Sequence, residues 1–246
     1  MSQVIVIASG KGGTGKTTVC TCLAVALADK NKKVLVIDTD SGMRGADLVL
    51  GLTDVVVYDL SDVVSGACAL SYAIYKVEGY NNLDMLAAPI KADDEISPAI
   101  MKHLIEKIKN EYDYILVDSP AGTGSGFEAA ATACDSAIVV VNAEPISIRG
   151  GQNIVERLNS FGIKNSRLII NRFDKKRFYT LDNYKDLDEI IDKVGIRLLG
   201  LVPEDVSIVS LSQHGALTKG YSQTKVIFDS IAERVEGIDV PLAVKV

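Results

Sequence analysis

The sequence predicts an α/β chain built as one doubly wound, mostly parallel sheet with helices on both faces. Short apolar runs rich in Val and Ile recur between longer stretches of helical periodicity, the alternation expected of a parallel sheet covered on both sides. The 246 residues, 48% hydrophobic and 24% charged, can bury a sizeable core. No repeat, low-complexity tract or Pro/Gly/Ser linker divides them, and the six prolines are scattered among loops and strand ends. A single domain over residues 1–246 is therefore expected.

In chain order, QVIVIA reads as a strand at 3–8 and hands over to a helix at 16–29. KVLVID makes the next strand at 33–38. Short helical pieces at 58–65 and 70–75 lead to the strand LDMLA at 83–87. A helix at 96–110 precedes the strand YILVD at 114–118, and one at 126–134 precedes SAIVVVN at 136–142. The helix at 147–161 is followed by the strand RLIIN at 167–171, and that at 183–194 by RLLGLV at 197–202. Helices at 206–213 and 221–235 close the chain, the last setting Ile227, Ile231 and Val235 on one face, a stripe suited to core packing.

Composition excludes several functions. With 26 basic and 32 acidic side chains the net charge is −6, the wrong sign for a surface devoted to phosphate neutralisation, so nucleic acid is an unlikely partner. Every apolar run is far shorter than the roughly 20 residues of a membrane-spanning helix. The start, MSQVIVIASG, lacks a charged n-region and a cleavage site, so a cytoplasmic protein is expected. Cys20, Cys22, Cys68 and Cys134 form no CxxC pair and have no histidine nearby, which argues against zinc. His103 and His214 stand alone and read as structural or surface residues. The acidic cluster Asp182, Asp186, Asp188, Glu189 and Asp192 and the basic triplet Lys175, Lys176 and Arg177 read as solvated surface.

The strongest signal is GKGGTGKTT, residues 10–18, set between a strand and a helix. It satisfies GxxxxGK[ST] in the context that motif requires. Backbone amides must turn inward to cradle phosphate oxygens, and side chains at Gly12, Gly13 and Gly15 would block that approach. The helix that follows adds its N-terminal dipole. Lys16 is placed to reach the terminal phosphates, the Thr17 hydroxyl to ligate magnesium, and Thr18 to donate to the α-phosphate. Gly10, Lys11, Gly12, Gly13, Thr14, Gly15, Lys16, Thr17 and Thr18 together form the candidate phosphate site.

Two further strands end in carboxylates. VLVIDTD carries Asp38 and Asp40 two residues apart, on one side of the strand if it extends that far. YILVDSPAGTGSG has the form of a Walker B strand, with Asp118 placed to hold magnesium through water. The turn after it offers the Gly122 amide to a γ-phosphate.

The early Lys11, in KGGTGKTT, resembles the deviant phosphate loop of the MinD/ParA class of ATPases. IDTDSGMRGADLVLGL, VVYDLSDVVSG, VDSPAG, VNAEPISIR and LVPED follow in the order of that class, nearest the branch that positions the cell-division site. Gly45 and Ala46 depart from that branch, which usually has an asparagine and a larger apolar residue there. The resemblance implies a P-loop NTPase fold and a magnesium-dependent ATPase that hydrolyses ATP to ADP and phosphate by water attack on the γ-phosphate. It implies that Lys11 reaches the partner's nucleotide in an ATP-dependent homodimer, that Asp40 holds the attacking water, and that Asp38 supports the magnesium shell or the loop. LIINRFD resembles the adenine-contacting strand end of the class, which makes Asn171 and Arg172 base contacts, with Pro203, Glu204 and Asp205 covering the other side. Regulatory partners of the division-positioning type are implied, with peripheral contact at the inner face of the membrane. No basic amphipathic anchor is evident in ERVEGIDVPLAVKV, where Pro241 interrupts and Lys245 alone follows Arg234 among the basic residues. A ParA-type DNA or cargo partition ATPase and a metal-cluster carrier share the loop. The acidic balance counts against the first, and the lack of a cysteine between Asp118 and Cys134 against the second.

Overall fold

A computed structural model of the protein describes residues 2–91, 96–213 and 223–242. His214, Lys245 and the first two residues of the expected helix at 221–235 lie outside them. The elements in order are β1 (Gln3–Ala8), α1 (Lys16–Asp29), β2 (Val34–Asp38), α2 (Ala46–Leu50), α3 (Leu60–Ser65), α4 (Leu70–Ala73), β3 (Ile74–Lys76) and β4 (Leu83–Leu86). There follow α5 (Pro98–Ile108), β5 (Tyr114–Asp118), α6 (Ser125–Thr132), β6 (Ser136–Val141), α7 (Pro145–Ser160) and β7 (Ser166–Phe173). The chain ends with α8 (Lys175–Leu181), α9 (Leu187–Val194), β8 (Leu198–Pro203), α10 (Val206–Gln213) and α11 (Gln223–Val235).

Among the described residues the strands form one sheet in the order β3-β4-β2-β5-β1-β6-β7-β8. All neighbours are parallel except the β3–β4 pair at one edge. β1 lies between β5 and β6, so the chain winds outward on both sides of it. That makes the C-terminal end of β1 the point where the direction of winding reverses and a crevice opens.

Strand alternation divides the core in two. Val4, Val6 and Ala8 face one cluster, with Ile37, Val117 and Val139, beneath Met101, Leu104, Phe127, Ile148 and Ile154 of α5, α6 and α7. Ile5 and Ile7 face the other, with Val36, Leu116 and Ile138, beneath Leu23 and Leu27 of α1 and Phe228 and Ile231 of α11. Burial on both faces is why the central strands read as unbroken apolar runs. The stripe on α11 packs as expected, with Ile227 and Ile231 in the core and Val235 against it. Gly200 of β8 makes room for it, since a Cβ there would lie 2.5 Å from Ile231 Cδ1.

The structure departs from the expected elements in a few places. The helix expected at 70–75 stops at Ala73, and Ile74–Lys76 pair antiparallel with β4. The Tyr75 hydroxyl there accepts the N–H groups of Val57 and Tyr58, so a tertiary contact overrides the local pattern. The helix expected at 58–65 begins at Leu60, where Asp59 caps it in a reciprocal box with Asp62. The helix expected from 183 begins at Leu187, because Asp186 caps it and Asp182 takes a left-handed conformation. The short helices α2 and α8 were not anticipated. α8 starts at its Asp174 cap and is held by Phe178 against Phe173, ring centroids 5.3 Å apart. His103 is exposed on α5. No described helix is long and apolar enough to cross a membrane.

Leu23 is fully buried between the sheet and its covering helices. Leu23→Ala is expected to lower the unfolding free energy by about 3 kcal/mol, seen as a lower urea midpoint at unchanged slope.

Candidate functional site

The loop between β1 and α1 occupies the crevice at the winding reversal. Gly15 caps α1 in a left-handed conformation, φ 84°, and a Cβ there would lie 2.4 Å from Asn171 Nδ2. At Gly10 a Cβ would fall 2.2 Å from the Gly150 carbonyl oxygen of α7, so its need is close backbone approach rather than phosphate access. At Gly12 and Gly13 no described protein atom lies within 4 Å of where a Cβ would stand, so the approach to the loop is open there.

The loop is tied down from beneath. The Asn171 side-chain N–H donates to the Thr14 carbonyl at 2.8 Å, and Asn142 donates to the Asn171 carbonyl at 3.1 Å. Asn171, expected at the base, therefore commits one Nδ2 N–H to the loop and keeps its other N–H and its Oδ1 for a ligand. Arg172, at φ 54°, bonds Glu204 at 2.8 Å. A cavity of about 180 Å³ is bordered by Thr18, Asn171, Arg172, Pro203, Glu204 and Asp205. The Asp205 carboxylate accepts the N–H of Ser207 at 2.9 Å and the hydroxyl of Thr224. It caps α10 and fastens α11 at the border of the cavity.

At the centre, Lys16 Nζ lies 2.9 Å from Asp118 Oδ1, with side chains 7% and 0% exposed. Burial, the strongest single influence, pulls the Lys16 pKa down, but Asp118, Asp40 and Asp38 together outweigh it and the net shift is upward. Among the described residues Asp118 Oδ2 is buried and has no hydrogen-bond partner. A carboxylate oxygen left open in this way fits a hydrated cation. The Thr17 side chain, the other expected magnesium holder, faces Gly45. Asp38 behaves differently. Its Oδ1 accepts the Asp40 N–H at 2.9 Å and its Oδ2 the Ala46 N–H at 3.0 Å. Of the two roles expected of it, these bonds serve the loop. Burial, reinforced by Asp118, pushes its pKa up to about 7.

β2 ends at Asp38, so Asp40 sits in the following loop and not on the strand face that alternation would assign to it. Its side chain is partly buried, and burial raises its pKa against the opposing pull of Lys16. Gly122, at φ 88°, donates its N–H to the Ser9 carbonyl at 2.8 Å, tying the segment after β5 to the start of the loop. Lys11 pairs within its own chain with Glu144 Oε2 at 3.1 Å, and its side chain is 41% exposed. Arg177 takes the other oxygen at 2.9 Å, so this member of the basic triplet, exposed as expected, is also an ion-pair partner. Asn142, Glu144 and Gly150 were not singled out from sequence. Each lies at the strand–helix junction after β6 or in the helix that follows, and only the loop folding back onto that junction gives them a role.

Removing one partner of the central pair should expose its cost. Lys16→Met is expected to lower stability by about 3–5 kcal/mol, because it strands a buried carboxylate, and adding Asp118→Asn should recover most of the loss. Chemical denaturation of both variants measures this; a Lys16→Met protein as stable as the parent would refute the pairing.

Known proteins share this geometry. An AAA domain family matches residues 2–170. The septum site-determining protein MinD of Bacillus subtilis is 36% identical over 249 residues, covering 99% of this chain and 92% of the relative. The MinC:MinD cell division protein complex of Aquifex aeolicus is similar at a TM-score of 0.88 and 36% identity, covering 98% of each chain. MinD of Pyrococcus horikoshii, complexed with Mg-ADP, is similar at a TM-score of 0.85 and 31% identity, covering 96% of each. Similarity of this depth over nearly the full length leaves one assignment: the chain belongs to the MinD family of septum site-determining proteins.

Proposed function

We propose that the protein is a magnesium-dependent ATPase that acts as a spatial switch in division-site selection, forming a homodimer with ATP and parting after hydrolysis. The observation that carries this reading is the buried Lys16–Asp118 pair beneath an open glycine cradle, with one Asp118 oxygen unpartnered. The Mg-ADP held by the Pyrococcus horikoshii relative supports the same ligands here. The single sheet running from β3 to β8 favours one ATPase domain over residues 1–246.

Loop amides and the α1 N-terminus bind the phosphates, with Lys16 turning its ammonium from Asp118 to their terminal oxygens. Magnesium, held by the Thr17 hydroxyl and through water by Asp118, would neutralise phosphate charge when bound. Asp40 accepts a hydrogen bond from the attacking water and orients it in line with the γ-phosphate, yielding ADP and phosphate. Asp38 holds the Asp40 loop. The Gly122 N–H moves from the Ser9 carbonyl to the γ-phosphate, which makes the turn after β5 sensitive to hydrolysis. Lys11 leaves Glu144 for the partner's nucleotide, and Arg177 keeps Glu144 paired as it goes. Adenine enters the cavity by Asn171, Arg172 and Pro203.

The complex of Aquifex aeolicus MinD with MinC favours a regulatory protein partner of that kind. The septum-site names of the relatives favour division positioning over partition of DNA; the place of that work is proposed as the cytoplasm, with peripheral contact at the inner face of the membrane.

Asp40→Ala is expected to bind ATP with unchanged affinity and hydrolyse it about 100-fold more slowly, since water orientation matters at the transition state. Phosphate release and calorimetry measure the two, and parental turnover would remove Asp40 from this role. With magnesium and ATP the Asp40→Ala protein should elute as a dimer, whereas Asp40→Ala with Lys11→Ala should stay monomeric with nucleotide bound. Two triphosphates repel across an interface unless each receives a cation from the opposite subunit. Light scattering behind a sizing column decides it, and dimerisation indifferent to Lys11 would leave a monomeric use of the loop.

A further inference from the structure

We infer that Thr39 is a positioning residue for hydrolysis, its hydroxyl fixing the Asp40 loop to the strand end that carries Asp118. This rests on the ATPase reading above. β2 and β5 are neighbours with Asp38 opposite Asp118. Immediately beyond β2, Thr39 donates twice to one acceptor: its N–H reaches the Asp118 carbonyl at 2.9 Å and its Oγ1 reaches the same oxygen at 2.8 Å. The residue is 8% exposed.

The second bond is not needed to satisfy that carbonyl, which the N–H already pairs. What the hydroxyl adds is a second fixed point on the same residue. One hydrogen bond leaves Thr39 free to pivot about it; two define the direction in which the chain departs toward Asp40. The Asp40 N–H is then caught by Asp38 Oδ1 at 2.9 Å. A carboxylate that must aim a water needs its backbone held, and Thr39 fixes the residue before Asp40 while Asp38 holds the Asp40 N–H.

The same device recurs on the other side of Asp118. Ser119, fully buried, directs its N–H and its Oγ to the Ile7 carbonyl of β1 at 3.2 and 3.0 Å. Hydroxyl ties thus join the ends of β2, β5 and β1, the strand ends from which the Asp40 loop, Asp118 and the phosphate loop leave. Valine at position 39 would keep the branched shape of threonine and lose the second bond, leaving the Asp118 carbonyl paired with the backbone N–H alone.

The test compares the parent, Thr39→Val and Thr39→Ser by calorimetry with ATP, steady-state turnover and magnesium titration of turnover. Thr39→Val should bind ATP within about twofold of the parent while kcat falls about tenfold and half-saturation by magnesium moves several-fold higher. Thr39→Ser, which restores the hydroxyl without the methyl, should recover most of the rate. Parental turnover and magnesium dependence in Thr39→Val would overturn the inference, as would a Thr39→Ser protein as slow as Thr39→Val, which would assign the effect to the methyl group. If Thr39→Val does not fold, Thr39→Ala against Thr39→Ser makes the same comparison. A parent protein that hydrolyses no ATP would instead overturn the ATPase reading itself.

Discussion

The ion pair between Lys16 and Asp118 is the constraint around which the molecule is arranged. Lys16 opens α1, Asp118 closes β5, and the two meet where the winding of the sheet reverses. A buried pair of this kind adds little net stability, because desolvation consumes most of the Coulombic gain, yet losing either member is costly. Its value lies in readiness. A lysine held by one carboxylate oxygen is charged and aimed before any ligand arrives, and a phosphate offers it an equivalent partner. The order β2-β5-β1 follows from this, since it sets Asp38, Asp118 and the phosphate loop side by side.

Three carboxylates, Asp38, Asp40 and Asp118, converge on one lysine, and the local excess of negative charge has consequences. Burial and mutual repulsion raise the pKa of both Asp38 and Asp40. Asp38 is kept useful by the two backbone N–H groups it accepts, which turn a poorly solvated charge into a clamp on the loop between β2 and α2. An arrangement that concentrates acid in this way is built to receive cations.

A second centre of charge lies at the mouth of the loop. Glu144 stands at the N-cap of α7 and accepts from both Lys11 and Arg177. Hydrogen bonding from Lys11 keeps Glu144 below the usual carboxylate range despite some burial. Because Arg177 holds the other oxygen, Lys11 is replaceable at Glu144, and a half-exposed lysine with a replaceable partner is free to engage elsewhere. Two basic side chains thus meet one carboxylate on this rim, although the chain as a whole is acidic.

Period and motif alone carried the frame. Short apolar runs locate β1, β2 and β4 to β8, because a strand covered on both faces is apolar along most of its length. GKGGTGKTT announced the phosphate loop because few residue types tolerate its backbone. The edge strand β3 stayed hidden, since its three residues pair only because the Tyr75 hydroxyl is captured by the backbone of Val57 and Tyr58. The division of labour among Asp38, Asp40 and Asp118 was equally hidden, for one spacing is compatible with several assignments until the donors around each oxygen are known. Asn171 turning beneath the loop, Gly10 pressed against Gly150 and Arg177 reaching Glu144 are contacts between segments far apart in the chain. No local pattern encodes such contacts; they exist only once the sheet has brought the ends of β1, β6 and β7 together.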